Sequence, residues 1–156
     1  LQGAAALAYT YDYDTLGNIN GVIRNGALEA GYIYDDQGQL ITEYLYNEDA
    51  YYTYTYDTYG NIRSAVKRDL ITDAVLSTET YSYTDTGWLD QLTSYNGVAI
   101  TYDEIGNPAS YNNGSAYNFA WENGRELYMV KDCMEKVRIG GLIPLNEKML
   151  SYWLQL

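Results

Sequence analysis

The sequence has no histidine, a single cysteine and few basic residues. Of its 156 residues only 9 are lysine or arginine, against 21 aspartates and glutamates, and the formal net charge is −12. Without histidine, mechanisms that use it as a base, relay or metal ligand are excluded. The lone Cys133 excludes an internal disulfide and a cysteine-based zinc site. The acidic balance argues against nucleic acid or an anionic membrane as partner, because both require clustered lysine and arginine.

Long apolar runs and targeting signals are also missing. No apolar stretch approaches the roughly 20 residues that a helix needs to cross a membrane, so no membrane insertion is expected. The chain begins at Leu1 without a methionine or a basic segment, so no signal peptide is predicted and the chain is a candidate piece of something longer. Its length suits one domain, and 47% hydrophobic residues suffice for a core.

Tyrosine is what the sequence has in abundance, with 20 tyrosines against one phenylalanine. A tyrosine ring packs on a pleated surface while its hydroxyl reaches water or a partner. The tyrosines recur at every second position, which is typical of strands because alternate side chains share a face. The alternating sets are Tyr9, Tyr11 and Tyr13; Tyr32 and Tyr34; Tyr44 and Tyr46; Tyr52, Tyr54 and Tyr56; and Tyr81 and Tyr83.

A short motif recurs along the same region. Its glycines, at 17, 38, 60, 87 and 106, are 21, 22, 27 and 19 residues apart. In the fourth copy the aspartate has slipped by one position, and a sixth copy is altered. We number the copies repeats 1 to 6: YDTLGNI at 13–19, YDDQGQL at 34–40, YDTYGNI at 56–62, YTDTGWL at 83–89, YDEIGNP at 102–108 and FAWENGREL at 119–127.

The chemistry of the motif predicts a strand, a tight turn and a return strand. The aspartate carboxylate can accept a hydrogen bond from the backbone N–H two residues on, which opens a turn. Glycine then takes the positive φ that closes a type I turn with a bulge. The predicted structural turn residues are Asp14, Gly17, Asp35, Gly38, Asp57, Gly60, Asp85, Gly87, Asp103 and Gly106.

Further turn signals lie between the repeats. The dipeptides Asn25-Gly26, Asn96-Gly97 and Asn113-Gly114 favour the primed two-residue hairpin turn. The longest spacing predicts a longer strand pair with an enlarged loop at Asp69 to Asp73. Residues 8 to 128 are therefore predicted to form a meander of roughly ten to twelve short antiparallel strands. The predicted fold class is all-β, an open, curled sheet.

The unit Y-D-x-x-G-N-[LI], complete in repeats 1 and 3 and varied in repeats 2, 4 and 5, resembles the YD repeat of the RHS family. The segment W-x-N-G-R-x-L from Trp121 to Leu127 is similar to a motif near the end of that family's repeat region. The resemblance implies a large secreted or cell-surface protein, mostly bacterial, with relatives in animal teneurins. It also implies a non-catalytic sheet that spirals into a hollow shell, which in bacterial toxins encloses a C-terminal toxin domain.

The chain departs from this family in two respects. It is too short to close a shell around cargo alone, so a partial shell is expected. The pattern also stops at Leu127: a further YD unit and a D-P-x-G segment would normally follow, and neither is present. The family's self-cleavage aspartates and toxin chemistry therefore have no counterpart to which they can be assigned.

Composition divides the chain into a lead-in at 1–8, a repeat region at 9–128 and a divergent tail at 129–156. Residues 1–128 carry 18 acidic and 5 basic side chains, whereas the tail carries 3 and 4. Nineteen of the tyrosines precede the tail, which holds all three methionines and Cys133. The tail is interpreted as a C-terminal cap on the last strand, a remnant of the family's variable C-terminus, or a frameshifted end.

No catalytic, cofactor or metal site is predicted. The pattern Asp12-x-Asp14-x-x-Gly17 begins like a calcium loop, but Ile23 stands where the twelfth-position glutamate belongs. Paired carboxylates such as Asp35 with Asp36 belong to turns and are expected to be solvated. Cys133 has no histidine to activate it and is expected to be a bystander thiol.

The tyrosines are the one feature that could bind a ligand. The candidate binding face is Tyr52, Tyr54, Tyr56, Tyr81 and Tyr83. Exposed rings stack on sugars, but rings can equally pack on one another across strands. Sheet edges are expected to pair with other copies or adjacent repeats. The sequence thus favours a structural scaffold that encloses or presents a toxin or other cargo, with an extracellular glycan- or protein-binding module as the alternative and an enzyme as the least favoured class.

Overall fold

The computed structural model describes residues 7–131 and 136–138. The chain divides into two compact units, Leu1–Gly97 and Val98–Leu156, called here the N-terminal and C-terminal units. Both are built from antiparallel strands, so the predicted all-β class and open meander are confirmed. Within the described residues, no helix is long and apolar enough to cross a membrane.

The N-terminal unit is a meander in which each strand pairs with the next one along the chain. A short 3-10 helix at Tyr46–Glu48 separates its fourth and fifth strands. The strands are β1 (Tyr9–Tyr13), β2 (Ile19–Arg24), β3 (Ala27–Tyr34), β4 (Leu40–Leu45), β5 (Ala50–Tyr56), β6 (Ile62–Asp69), β7 (Val75–Ser82) and β8 (Ser94–Tyr95).

The C-terminal unit repeats the arrangement, again with antiparallel pairing in chain order. Its strands are β9 (Val98–Tyr102), β10 (Pro108–Asn112), β11 (Ala116–Glu122), β12 (Glu126–Lys131) and β13 (Lys136–Arg138). Strands β1 to β12 all begin between residues 9 and 126, in agreement with the predicted ten to twelve. The enlarged loop after β6 also lies where the longest spacing predicts it.

The register of strand pairing shifts beside the turns of the repeats. Where β1 meets β2, the pairing shifts between Asp12 and Tyr13, which is a β-bulge beside the repeat 1 turn. The same shift occurs beside the turns of repeats 2, 3 and 5. A type I turn closed by a left-handed glycine is followed by such a bulge. The turn therefore fixes the register, and with it the face on which each tyrosine lies.

Two of the predicted hairpin dipeptides have the expected backbone, and one does not. Asn25 and Gly26 both have positive φ, at 52° and 84°, and so do Asn96 and Gly97, at 49° and 76°. At Asn113-Gly114 only the glycine does, at 108°. A type I′ turn needs positive φ at both central residues. The primed-turn prediction is wrong there, because three residues, 113–115, connect β10 to β11.

Burial is shallow in the described part of the chain. The buried apolar residues are small or few, and no large side chain there is completely buried. The composition predicts a conventional core, yet the interior positions belong to Ala30, Ala50, Ala65, Leu92 and Val130. Stability therefore depends on contacts within the sheet, between neighbouring strands and neighbouring rings.

Most of the predicted lead-in and tail lies outside the described residues, including residues 1–6, 132–135 and 139–156. Strand β12 spans Glu126–Lys131 and β13 spans Lys136–Arg138, so the described part of the tail is extended. Cys133 and the three interpretations of the tail fall outside that part. The domain boundaries stay a prediction.

Candidate functional site

The turns of repeats 1, 2, 3 and 5 share one geometry. In repeat 1, Asp14 Oδ1 accepts hydrogen bonds from the backbone N–H groups of Leu16 and Asn18, both at 2.9 Å. The Gly17 N–H donates to the Asp14 carbonyl at 3.2 Å, and Gly17 has φ of +87°. The corresponding bonds recur at Asp35, Asp57 and Asp103. One carboxylate thus organises each whole turn.

These hydrogen bonds also set the charge state of the turn aspartates. The amide of Asn18 donates to Asp14 Oδ2 at 2.9 Å. That bond, which outweighs an opposing desolvation effect, and the backbone N–H bonds hold the pKa of Asp14 below its usual value. The backbone N–H of Asn107, followed by its side-chain amide, holds the pKa of Asp103 down in the same way. Both aspartates therefore stabilise their turns in the ionised form.

Asparagine at the sixth position of the motif ties one repeat to the next. Asn107 Nδ2 donates to Asp103 Oδ2 at 2.9 Å and to the Gly124 carbonyl of repeat 6 at 2.7 Å. Asn61 bridges in the same way, to Asp57 at 3.0 Å and to the Leu89 carbonyl of repeat 4 at 3.1 Å. Asn107 is only 3% exposed, so both of its bonds are sheltered from water.

The aromatic residue that opens the motif makes a second kind of tie. The Tyr34 hydroxyl donates to the Ile19 carbonyl at 2.8 Å, and the Tyr56 hydroxyl donates to the Leu40 carbonyl at 2.7 Å. Each acceptor is the last residue of the preceding repeat. In the C-terminal unit, Trp121, at the third position of the altered repeat 6, donates from Nε1 to the Pro108 carbonyl at 2.7 Å. The indole thus replaces the phenol in the same role. We call these contacts, with those of Asn61 and Asn107, the inter-repeat bonds.

Repeat 4 departs from this pattern. Asp85 Oδ1 accepts from the Gly87 and Trp88 N–H groups at 2.8 and 2.7 Å. Gly87 does not have a positive φ, so the predicted left-handed glycine is wrong at this position. The slipped aspartate leaves Gly87 two residues after the carboxylate rather than three. The chain then continues without a strand until β8 begins at Ser94.

The five tyrosines of the candidate binding face lie on one side of the N-terminal sheet. Tyr52, Tyr54 and Tyr56 alternate along β5, and Tyr54 is in register with Ala65 and through it with Glu79. Since Tyr81 lies two residues beyond Glu79, it projects from the same side. Tyr83 follows directly after β7. The structure therefore brings these tyrosines to one face, although their role as a binding surface stays a prediction.

Neighbouring side chains contact tyrosines of that face through hydrogen bonds, ring stacking and a cation–π contact. The Tyr54 hydroxyl donates to Glu43 Oε2 at 2.7 Å, and the rings of Tyr52 and Tyr54 stack with centroids 6.1 Å apart. The Lys67 ammonium lies 5.5 Å from the Tyr52 ring centroid and forms an ion pair with Glu48 at 2.7 Å. The Tyr54 hydroxyl and the rings of Tyr52 and Tyr54 therefore already make contacts within the protein.

Tyr81, further along the face, also makes contacts within the protein. The Tyr81 hydroxyl donates to Glu79 Oε2 at 2.9 Å, and its ring packs against the ring of Tyr95 with centroids 5.2 Å apart. Tyr81 and Tyr95 are directly opposite each other in β7 and β8. Burial and the hydrogen bond to Glu79 raise the pKa of Tyr81. Burial and the hydrogen bond to Glu43 raise the pKa of Tyr54 likewise.

A second aromatic cluster, on the opposite face, is not among the predicted sites. Tyr44 and Tyr51 are directly opposite in β4 and β5 with ring centroids 5.6 Å apart, and Tyr46 stacks on Tyr44 at 5.9 Å. The Tyr51 hydroxyl bonds to Asp73 of the enlarged loop. The available signal is the doublet Tyr51-Tyr52, since adjacent residues of a strand point to opposite faces.

The carboxylates of the described residues do not form a metal centre. Among the described residues, no group of three or more aspartate, glutamate or cysteine side chains is placed to hold a metal ion. The turn carboxylates instead accept N–H donors from their own turn, three of them at Asp14. What the arrangement does chemically is join neighbouring repeats.

No protein-family model matches the chain, and no curated protein does. A crystal structure of TcdB2-TccC3-TEV matches with a TM-score of 0.59 and 16% identity, over 83% of this chain and 8% of that one. A Photorhabdus luminescens Tc holotoxin pore carrying a TccC3 mutation matches with a TM-score of 0.59 and 14% identity, over 81% of this chain and 8% of that one.

The chain therefore shares its fold with part of these Tc toxin chains. Tc toxin chains of this kind contain RHS/YD-repeat shells, so the fold implied by the sequence resemblance is confirmed. At 14–16% identity the likeness speaks for the fold alone. The chain spans about 8% of the length of the toxin chains it matches, and the activity of those whole toxins does not transfer with the fold.

Proposed function

We propose that this chain is a structural, non-catalytic repeat scaffold, a segment of an RHS-type wall. The observation that carries the proposal is the set of inter-repeat bonds. The motif residues Tyr34, Tyr56 and Trp121 all donate to a carbonyl of the preceding repeat. A motif whose polar groups are used on the adjacent repeat serves to extend a sheet.

The larger setting follows as part of the same proposal. The wall segment encloses or presents a toxin or another C-terminal cargo, in a bacterial protein that is secreted or held at the cell surface. Its partners are adjacent repeats or further copies, joined through sheet edges. The support is the fold shared with Tc toxin chains, one of them described as part of a holotoxin pore.

The alternative is a module that binds glycan through Tyr52, Tyr54, Tyr56, Tyr81 and Tyr83. Sugar-binding aromatic residues offer an uncovered ring face and nearby free hydrogen-bonding groups. Here the hydroxyls of Tyr54, Tyr56 and Tyr81 bond to the chain itself, and Lys67 lies over Tyr52. These contacts favour the scaffold.

The double substitution Tyr54→Ser with Tyr56→Ser distinguishes the two functions. In a scaffold it removes two half-buried rings with their bonds to Glu43 and Leu40, and we expect loss of the β-sheet circular dichroism signal. The control is Tyr59→Ser, because Tyr59 is 68% exposed in a turn, and it should leave the fold intact. A double variant that stays folded but loses binding on a glycan array that the parent chain binds would contradict the scaffold.

A further inference from the structure

The chain contains four asparagine–glycine dipeptides, at 25–26, 96–97, 113–114 and 123–124. Asparagine is a chemically labile side chain, and it is most labile when glycine follows it. The backbone nitrogen of the next residue can attack the side-chain carbonyl carbon, and glycine has no Cβ to hinder that approach. All four dipeptides share this local chemistry, so their hydrogen bonds in the folded chain decide which of them reacts.

Asn25 and Asn96 are each held by a distant residue of the N-terminal unit. Asn25 Oδ1 accepts a hydrogen bond from the Ala8 N–H at 3.0 Å, and the Asn25 N–H donates to the Ala8 carbonyl at 2.8 Å. Asn96 forms the same two bonds with Thr80, both at 2.8 Å. The side chains therefore cannot turn toward their own glycines until the turn separates from its neighbour.

Asn123 is held by two bonds of a different kind. Its Nδ2 donates to Glu126 Oε2 at 2.8 Å. The carbonyl of Gly124, the residue that would supply the attacking nitrogen, accepts the buried Asn107 amide at 2.7 Å. Movement of the Gly124 nitrogen toward the Asn123 side chain would disturb both bonds.

The hydrogen bonds described at Asn113 and Gly114 are local and exposed. Asn113 Oδ1 accepts from the Ser115 N–H at 3.4 Å, which is longer than the usual range, and its side chain hydrogen-bonds that of Tyr111. The Gly114 N–H donates to Asn112 Oδ1 at 3.1 Å. Residues 112–114 are exposed, so water can replace these bonds without separation of any strands.

We propose that Asn113 is the site at which this chain deamidates first, spontaneously and in the folded state. The Gly114 nitrogen, after solvent base removes its proton, forms a bond to Asn113 Cγ. The bond from Cγ to Nδ2 breaks, and the amide nitrogen leaves as ammonia, so that a cyclic succinimide remains. Water then opens one of the two imide carbonyls, and the product is aspartate or isoaspartate.

The products change the connection between β10 and β11. Isoaspartate adds a methylene carbon to the main chain of the loop at 113–115, directly after the pair Asn112–Ala116. Because loop length fixes the register of a hairpin, we expect isoaspartate to loosen this one. Either product adds a negative charge to a chain at −12. The inference goes beyond the scaffold proposal and does not depend on it.

Peptide mass spectrometry measures all four sites in one sample of the folded full chain during incubation in mildly alkaline buffer. We expect the Asn113 peptide to exchange its amide for a carboxyl at least about fivefold faster than the other three, since each of those must first break a bond that holds its turn. In chain unfolded by urea the four rates should converge, because only the local chemistry remains. Enzymatic methylation detects isoaspartate.

Ala8→Pro tests whether the hydrogen bonds protect a dipeptide. The variant removes the N–H that holds Asn25 Oδ1, at a position just before β1 where proline is compatible with a strand. We expect deamidation of Asn25 to become about fivefold faster and that of Asn113 to stay unchanged. Ala8→Gly, which keeps the N–H, is the matched control and should leave Asn25 at the parent rate. Circular dichroism verifies that both variants are folded.

Three results would overturn the inference. One is a folded chain in which Asn113 stays intact or reacts no faster than the other three asparagines. Another is the same order of rates in folded and urea-unfolded chain, since the sequence alone would then decide it. The third is a folded Ala8→Pro variant that leaves Asn25 at the parent rate. The Tyr54→Ser, Tyr56→Ser variant decides the scaffold proposal separately.

Discussion

The hydroxyl of Tyr56 donates a 2.7 Å hydrogen bond to the backbone carbonyl of Leu40. Tyr56 opens repeat 3 and Leu40 closes repeat 2, so one side chain joins two copies of the motif. The bond recurs 22 residues earlier, where Tyr34 donates to Ile19 at 2.8 Å. Tyrosine abundance in this chain thus has a structural reason: phenylalanine would fill the same space but leave the carbonyl without its donor.

Gly38→Ala tests the requirement for a left-handed turn residue. Gly38 has φ of +78° and nothing within 4 Å of the position that a Cβ would occupy, so only backbone strain opposes the change. We expect the free energy of unfolding to fall by about 1 kcal/mol. Gly87→Ala is the control, because Gly87 does not have a positive φ, and urea denaturation should show a smaller loss for it. Equal losses would contradict the turn assignment.

Asn107→Ala tests the tie between repeats 5 and 6. The variant removes donors to Asp103 and to the Gly124 carbonyl at a buried position, and we expect a loss of about 2 kcal/mol in unfolding free energy. Asn18→Ala removes the corresponding bond to Asp14 alone and should cost about half as much. Chemical denaturation of both variants gives the comparison, and an inverted order would refute the role of the inter-repeat bond.

How far the sequence leads is visible at the turns. Asp14 and Gly17 follow from local rules, because a carboxylate, its own backbone N–H groups and a left-handed glycine act within five residues. The rules fail at Gly87 and at Asn113, where a slipped aspartate and a three-residue connection change the backbone locally. The motif therefore predicts the turn geometry correctly only where the aspartate and the glycine occupy their usual positions.

Contacts across strands were beyond prediction because they depend on register. Repeat spacing places Tyr56 in a strand. The spacing does not predict that the Tyr56 hydroxyl donates to the Leu40 carbonyl or that the Tyr54 hydroxyl donates to the Glu43 carboxylate. The shallow burial was also missed, since composition measures apolar content and not whether a second layer covers it. The Tyr44–Tyr51 pair required the β4–β5 register before its partners could be named.

Acid should weaken the fold through the turn aspartates. The pKa of Asp103 is lowered in the folded state by the N–H groups of Asn107 and Ile105. A lowered folded pKa contributes stability above the unfolded value near 3.9, and this contribution is lost as the pH falls through the folded value. We expect the unfolding free energy to decline as the pH falls below about 5.

Asp103→Asn should make that acid decline shallower, because the variant loses one of the carboxylates whose pKa the fold lowers. Asp36→Asn, at an exposed position of the repeat 2 turn, is the control and should retain the slope of the parent chain. Urea denaturation at a series of pH values provides the measurement. The linkage would be refuted if both variants kept the same slope.

Alkali should unfold the sheet through Tyr54 and Tyr81. Burial, and then bonds to Glu43 and Glu79, raise the pKa of both phenols. Because the folded pKa is raised, the stability is complete below the unfolded value of about 10 and is lost as the pH rises above it. Phenolate absorbance should therefore show a late, cooperative phase that coincides with loss of circular dichroism. Ionisation of every tyrosine near pH 10 in an intact sheet would contradict this.

The central claim, that the motif tyrosines hold repeats together, is tested most directly by Tyr56→Phe in urea denaturation. The variant keeps the ring and removes only the donor to Leu40. We expect the free energy of unfolding to fall by about 1 kcal/mol, with Tyr59→Phe, at an exposed turn position, unchanged. If Tyr56→Phe is as stable as the parent chain, the hydroxyl does not bind repeat to repeat, and the scaffold account loses the observation that carries it.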